Sequence, residues 1–263
     1  MDPLMIALIV AVFTLIVLFS GIPIAFGLSF VSIALLIAFE GLQMLDVFAE
    51  TFYAGLNSFV LLSIPMFILM GMAVAHSPAG KDLYTGLDRW LWRVPGGLVI
   101  SNIGACSIFA ALSGSSPATC AAIGTMGIPE MRKRGYSDQI ATGTIAAGGT
   151  LGVLIPPSIV LIVYGMATGT SIGRLFLSGV VPGFMLASLF AIWALIHSYF
   201  IDKNAAKLLR NRKPPTLKEK FEVLPRVFPF LAIIIGVLYV LYGGVATPSE
   251  ASGVGAFLVF VMI

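Results

Sequence analysis

Residues 3–39 run without a single charged side chain. A helix needs about 20 apolar residues to cross about 30 Å of hydrocarbon, so this stretch is too long for one crossing and fits two. Gly21 and Pro23 in "SGIPIAFG" mark the turn between them. The pattern recurs at 59–76, 94–129, 139–173, 175–201 and 227–243, none of which carries Asp, Glu, Lys or Arg. Only 10% of the 263 residues are charged and 59% are hydrophobic, against roughly 25% charged in a soluble domain. One globular core cannot hide that much apolar surface, so the expected fold is an all-α integral membrane protein of polytopic helices.

Several function classes drop out. No Lys/Arg cluster is interleaved with aromatics on a soluble element, which excludes a nucleic-acid face. Cys106 and Cys120 sit among Ala, Gly and Ile, and neither has a His or second Cys at metal spacing. They read as small packing residues, and no cofactor is expected. The N-terminus "MDPLMIALIV" has no basic region and no small-residue cleavage site after it, so it reads as the first span and not as a removed signal.

Two connecting segments are polar. "EGLQMLDVFAET" reads as an acidic loop over 40–50. "GKDLYTGLDRWLWRV" spaces Leu83, Leu87 and Leu91 on one face with tryptophan at the rim, the pattern of a helix over 77–93 lying along the membrane surface. The segment "GGVATPSEASG" reads as a turn before a last apolar stretch. Placing the 203–226 loop, rich in Lys and Arg, in the cytoplasm puts every basic residue except Arg174 inside, with the acidic loop and the N-terminus outside.

That orientation holds only if 94–129 enters and leaves on one side. At about 1.5 Å per residue, the arm Pro117–Pro129 reaches about 20 Å, short of the bilayer core, and the arm Leu98–Leu112 is scarcely longer. Two full spans or one re-entrant hairpin would meet that condition, and length favours a re-entrant helical hairpin with "SGSSPAT" at its tip. A second interruption lies in "ATGTIAAGGTLGVLIPPSIVLIVYG", 141–165, which must cross. Gly148, Gly149 and Gly152 favour unwinding and Pro156–Pro157 lacks backbone donors, giving a discontinuous transmembrane helix. Broken backbone at that depth is tolerated only inside protein or beside a watery cavity, and paired breaks mark the sites of secondary transporters.

The tips suit two ligands. Carbonyls near Ala111–Gly114, with the hydroxyls of Ser113, Ser115 and Ser116, are suited to Na⁺. Ser116–Pro117 reads as the cap and first residue of the second arm, with amide donors at Ala118 and Thr119 for a carboxylate. Carbonyls of Gly148–Gly152 and the Thr150 hydroxyl repeat the cation site, and Pro157 and Ser158 start the next half-helix. No charged side chain lies in 94–129 or 139–173, so dipoles, hydroxyls and Na⁺ would stand in for Lys or Arg. "SGSS" is superficially like an intramembrane serine protease turn, but His76 and His197 lie near span ends and no general base accompanies the serine. The chain is not read as an enzyme, and a broken full span beside the hairpin favours a transporter over a pore.

The run "FAALSGSSPATCAAIGTMGIPEMRKRGYSDQIATGTIAAGGTLGVLIPPSIVLIVYG", with "SGSSPAT", "RGY", "GGTLGVLIPPS" and the late "TPSEA" in order, resembles the large membrane subunit of tripartite ATP-independent periplasmic (TRAP) transporters over essentially the whole chain. The resemblance implies a Na⁺-coupled, binding-protein-dependent importer of organic acids such as C4-dicarboxylates or sialic acids. Its site would be multi-pass in the bacterial inner membrane. Implied partners are a small four-helix membrane subunit, a periplasmic substrate-binding protein and the remainder of the large subunit. The fold implied is the first of two inverted repeats of an elevator-type transporter. Residues 1–76 would be scaffold helices and 77–93 an arm bracing them. Residues 94–201 would be the transport-domain hairpin, broken helix and following span, 202–226 a basic cytoplasmic loop, and 227–263 the start of the second repeat. On that likeness Na⁺ is held by Ser113, Gly114, Ser115, Ser116, Gly149, Thr150 and Gly152, and substrate by Ser116, Pro117, Ala118, Thr119, Pro156, Pro157 and Ser158. Family members are longer, so the chain is expected to hold half a site and not to transport alone. The alternative is a stand-alone Na⁺/divalent-anion symporter of the same architecture, needing no periplasmic partner.

Overall fold

The structure, a computed structural model, describes residues 2–94, 96–198, 215–222 and 224–263. All regular elements among them are helical, and three stretches are long and apolar enough to cross a membrane: Phe59–His76, Asp138–Thr168 and Ile172–Ile196. Most of the basic 202–226 loop lies outside the described residues. The chain divides into two compact units, Met1–Ser58 and Phe59–Ile263.

In the first unit, α1 (Pro3–Phe19) and α2 (Ile24–Glu40) are joined where the sequence places the turn, at Gly21 with φ 81°. The Asp2 carboxylate accepts from the Leu4 amide at 3.2 Å and caps α1, with Pro3 as its first residue. Phe13 meets Phe30 with ring centroids 6.2 Å apart, and Val17 lies against Gly27, so the two helices run antiparallel. The acidic stretch expected as a loop is instead largely helix α3 (Met44–Leu56). Leu45, Phe48 and Phe52 recur at helical spacing, Phe48 and Phe52 stack at 5.7 Å, and Asp46 sits in the first turn beside the positive end of the helix dipole.

The second unit opens with a 3₁₀ turn, Phe59–Leu62, and α4 (Ser63–His76). Then follow α5 (Ala79–Trp90), α6 (Gly97–Ser113), α7 (Ser116–Lys133), α8 (Asp138–Leu154), α9 (Ile159–Thr168) and α10 (Ile172–Ile196). After the undescribed stretch come α11 (Leu217–Glu222), α12 (Leu224–Tyr242) and α13 (Pro248–Met262). Helix α6 is the centre. Leu98, Ile103, Phe109 and Leu112 are buried all round it, and α4, α5, α7, α8 and α10 pack against it. Helix α13 lies along α4 through a face of small residues, Ser249, Ser252, Gly255 and Ala256, with the Ser249 hydroxyl donating to Phe59 O at 2.8 Å. "TPSEA" starts this helix instead of turning. Thr247 and Glu250 form a reciprocal capping box, which confines the turn to 243–246.

Helix α7 does not stop at Pro129. It runs to Lys133, so at about 1.5 Å per residue its 18 residues reach about 27 Å, and arm length alone does not make the segment re-entrant. Pro129 forfeits one backbone bond, but the last turn is held by buried Met131 and closed at Gly135 (φ 81°). There the Tyr136 amide donates to Met131 O at 3.1 Å and the Gly135 amide to Arg132 O at 3.0 Å, a Schellman closure.

Helix α5 is separate from α4, as the amphipathic pattern predicts. Its apolar face, however, is covered by protein: Leu83 and Val227 form a small cluster, and Leu87, Ile108 and Leu231 pack against it. A charge cluster fixes it further. Arg134 Nη1 and Nη2 donate to Asp88 Oδ1 and Oδ2, both at 3.1 Å, and Nη2 donates to Glu130 Oε1 at 2.6 Å. Burial pushes the Asp88 carboxyl up from its ordinary range against the pull of Arg134. Burial also opposes the Arg134 charge, but Asp88 and Glu130 outweigh it and hold the guanidinium above its ordinary value.

Candidate functional site

The α6–α7 connection is two residues long. Gly114 caps α6 in the left-handed region (φ 60°), its amide donating to Ala110 O at 2.8 Å. A side chain there would be strained and would also stand 2.5 Å from Pro157 O, so only glycine fits. Ser115, not Ser116, is the N-cap of α7. Its hydroxyl accepts from the Ala118 amide at 3.5 Å and its carbonyl from the Thr119 amide at 3.0 Å. The Thr119 hydroxyl donates to Ser115 O at 2.8 Å and lies 3.1 Å from Ser113 Oγ. Since its proton is used, Ser113 is the donor of that pair. The amide groups expected to face a carboxylate, at Ala118 and Thr119, are thus taken by Ser115, and Pro117 has none.

One group at the tip is unspent. Among the described residues, Ser116 Oγ is buried and has no hydrogen-bond partner. An orphaned buried hydroxyl costs roughly 1–3 kcal/mol, which an ion, water or ligand at that point would offset.

Helix α8 stays helical through Gly148, Gly149 and Gly152 and breaks only at 155–158. The glycines are close-approach points and not hinges. A Cβ at Gly152 would stand 2.8 Å from Ser115 C and Ser116 N. One at Gly149 would strike Cys120 Sγ and lie 3.4 Å from Ser116 O, and one at Gly148 would stand 2.9 Å from Cys106 Cβ and Sγ. The two cysteines and the hairpin tip therefore seat on one glycine face. Thr150 is exposed, and its hydroxyl donates to Ala147 O at 2.6 Å, so it is not brought to the tip.

The break itself is Ile155, Pro156, Pro157 and Ser158, the two prolines buried and joined by a cis peptide. Ser158 is fully buried and caps α9. Its hydroxyl accepts from the Leu161 amide at 3.5 Å and donates to Val153 O at 2.6 Å. The decisive contact joins the two interruptions: the Ile159 amide donates to Gly114 O at 3.1 Å. Ser113, Gly114, Ser115, Ser116, Thr119, Gly149, Gly152, Pro157 and Ser158 thus meet in one place, while Pro117 points to the exposed side.

Two further glycines complete the enclosure, and sequence reasoning missed both. A Cβ at Gly71 on α4 would stand 2.5 Å from Ser113 Cβ, and one at Gly179 on α10 would stand 2.5 Å from Leu154 O. Their signal in the sequence is only a glycine inside an apolar helix. A cavity of about 360 Å³ bounded by Ile155, Pro156 and Phe184 flanks the break. The donor set at the junction is neutral oxygen, hydroxyl and carbonyl, the ligand type that suits a hard monovalent cation.

Comparison with known proteins gives a consistent result. Residues 9–263 match the family described as tripartite ATP-independent periplasmic transporter, DctM component. The chain is 39% identical over 242 residues to the C4-dicarboxylate TRAP transporter large permease protein DctM of Vibrio cholerae, covering 91% of this chain and 52% of that one. It is 36% identical over 237 residues to the isethionate TRAP transporter permease protein DctMQ of Oleidesulfovibrio alaskensis, covering 90% and 36%. It is 32% identical over 239 residues to the sialic acid TRAP transporter large permease protein SiaM of Vibrio cholerae, covering 91% and 54%. The chain spans about a third to a half of the length of these relatives.

Proposed function

The chain belongs to the DctM component family of tripartite ATP-independent periplasmic transporters, and from that premise we propose that it is the N-terminal part of a membrane-embedded translocation subunit that imports an organic acid together with Na⁺. The observation that carries this reading is the junction of the two breaks. The tip at 113–116 and the break at 155–158 share a backbone hydrogen bond, Ile159 N to Gly114 O, around a buried hydroxyl that has no partner. Two half-helices, α7 and α9, begin there, and their positive dipole ends favour an acid group on the ligand. Carbonyls of the α6 C-terminus and the Ser113 and Ser116 hydroxyls supply the cation's oxygens.

The hairpin is re-entrant in this reading. It turns back level with the start of α9, whose ten residues continue for roughly another 15 Å. The relatives' substrates, a C4-dicarboxylate, sialic acid and isethionate, share an acid group and little else. The junction therefore reads the acid group, and selectivity comes from elsewhere. In the inner membrane the subunit works with a small membrane subunit, a periplasmic binding protein and a second, inverted repeat, the transport domain moving as an elevator.

Proteoliposomes holding the complete transporter test this. Uptake of the cognate acid should require both an inward Na⁺ gradient and the loaded binding protein. Undiminished uptake with K⁺ replacing Na⁺ would overturn the coupling.

A further inference from the structure

We propose that the outer face shared by α5 and α11 is a binding site for the headgroup of an anionic phospholipid. The side chains there form one ladder. Trp90 meets Phe221 edge to face, centroids 5.6 Å apart, and each is 51% exposed. Lys220 Nζ lies 5.8 Å from the Trp90 ring and 6.0 Å from that of Trp92, and the Arg93 guanidinium lies 5.0 Å over Trp92. A ring face neutralises no charge and takes no hydrogen bond of ordinary strength, so both cations keep their donors.

Neither Arg93 nor Lys220 has an ion-pair partner among the described residues. The nearby acids are committed elsewhere. The Glu219 carboxylate accepts from the Thr216 amide at 2.8 Å, and Glu222 lies 3.5 Å from Arg89. Arg89 also donates to Glu219 O at 2.6 Å, which pins α11 to α5 and sets the spacing of the two free cations.

Beside the cations runs an apolar stripe. It is formed by Leu217 and Phe221, at i and i+4 on α11, and α12 carries a second such pair, Leu224 and Phe228, all four exposed. Tryptophans, an apolar stripe and unpaired cations together are the composition of a surface at the membrane interface. The anion present at that depth is the lipid phosphodiester, which the Arg93 fork matches. An acidic protein segment would satisfy the cations but leave the stripe in water, and a zwitterionic headgroup brings an ammonium that the cations repel. The proposal depends on the chain being embedded in a bilayer and not on Na⁺ coupling, so uptake assays and this test fail independently.

The chain has three tryptophans. In a Trp193→Phe background the fluorescence of the full chain reports on this face alone. Reconstituted into phosphatidylcholine vesicles with a minor fraction of acyl-brominated phosphatidylglycerol, it should be quenched with an apparent lipid association at least about threefold stronger than with brominated phosphatidylcholine, since each interfacial cation strengthens attraction to anionic lipid severalfold. The preference should vanish in Arg93→Gln/Lys220→Gln, survive in Lys81→Gln, and collapse in the parent at high salt. Equal quenching by the two lipids in the parent overturns the proposal. So does a preference that survives either the double substitution or high salt.

Discussion

Ser116 is the residue at which packing and chemistry separate. A buried hydroxyl with no protein partner costs the fold stability, so Ser116→Ala should hold or raise the unfolding temperature of the subunit without Na⁺ while weakening apparent Na⁺ affinity in uptake severalfold. Ser115→Ala and Ser158→Ala remove caps instead and should cost roughly 1 kcal/mol of stability each. Thermal unfolding beside Na⁺-titrated uptake separates the two kinds of residue. If Ser116→Ala lowered stability and left Na⁺ dependence intact, its assigned role would be wrong. The serine-rich tip was readable because Ser-Gly-Ser-Ser-Pro is anomalous between apolar runs. Which serine caps and which is free was not, since adjacent serines differ only in the turn geometry set by Gly114.

At the scale of elements, α8 holds the instructive error. Three glycines before two prolines read naturally as one unwound stretch, yet only the prolines break the helix. Glycine in a helix signals either freedom or close approach, and the sequence of α8 alone does not contain the partner that decides. That partner is the hairpin tip. Gly152→Ala should therefore destabilise by roughly 1–3 kcal/mol through overpacking, where a hinge glycine would gain stability from alanine. Unfolding of the purified subunit distinguishes them by sign. The arm helix α5 was legible from its leucine spacing, but its apolar face meets α6 and α12, and the charge pattern that places the basic residues inside says nothing of Arg134 clamping α5 to α7. Asp88→Asn should cost roughly 1–2 kcal/mol, below a fully buried pair because Arg134 keeps 27% of its side chain exposed. The Asp88→Arg/Arg134→Asp exchange should recover part of that loss. If the single change leaves the unfolding temperature unmoved, the clamp is not structural.

For the whole molecule, the distribution of charge fixes the expected topology: N-terminus periplasmic, 203–226 cytoplasmic. In intact cells a membrane-impermeant maleimide should label Asp2→Cys and spare Lys218→Cys, with both labelled after lysis. The reverse pattern would invert the orientation. The apolar helices and the two interruptions were visible in the sequence because charge-free length and helix-breaking residues act locally, whereas α3, which carries Asp46 and Glu50, was not. That the interruptions meet came only through the family resemblance, since residues 114 and 159 are brought together by packing α6, α7 and α8 around glycines and by nothing local. The proposed function rests on this junction holding the coupling ion. Hydrogen–deuterium exchange of the complete transporter, compared in Na⁺ and K⁺, addresses it directly. Na⁺ should slow exchange selectively in peptides covering 113–119 and 155–162, with the effect lost in Ser116→Ala. Exchange there that is identical in the two cations, while uptake remains Na⁺-driven, would place the ion elsewhere and contradict the claim.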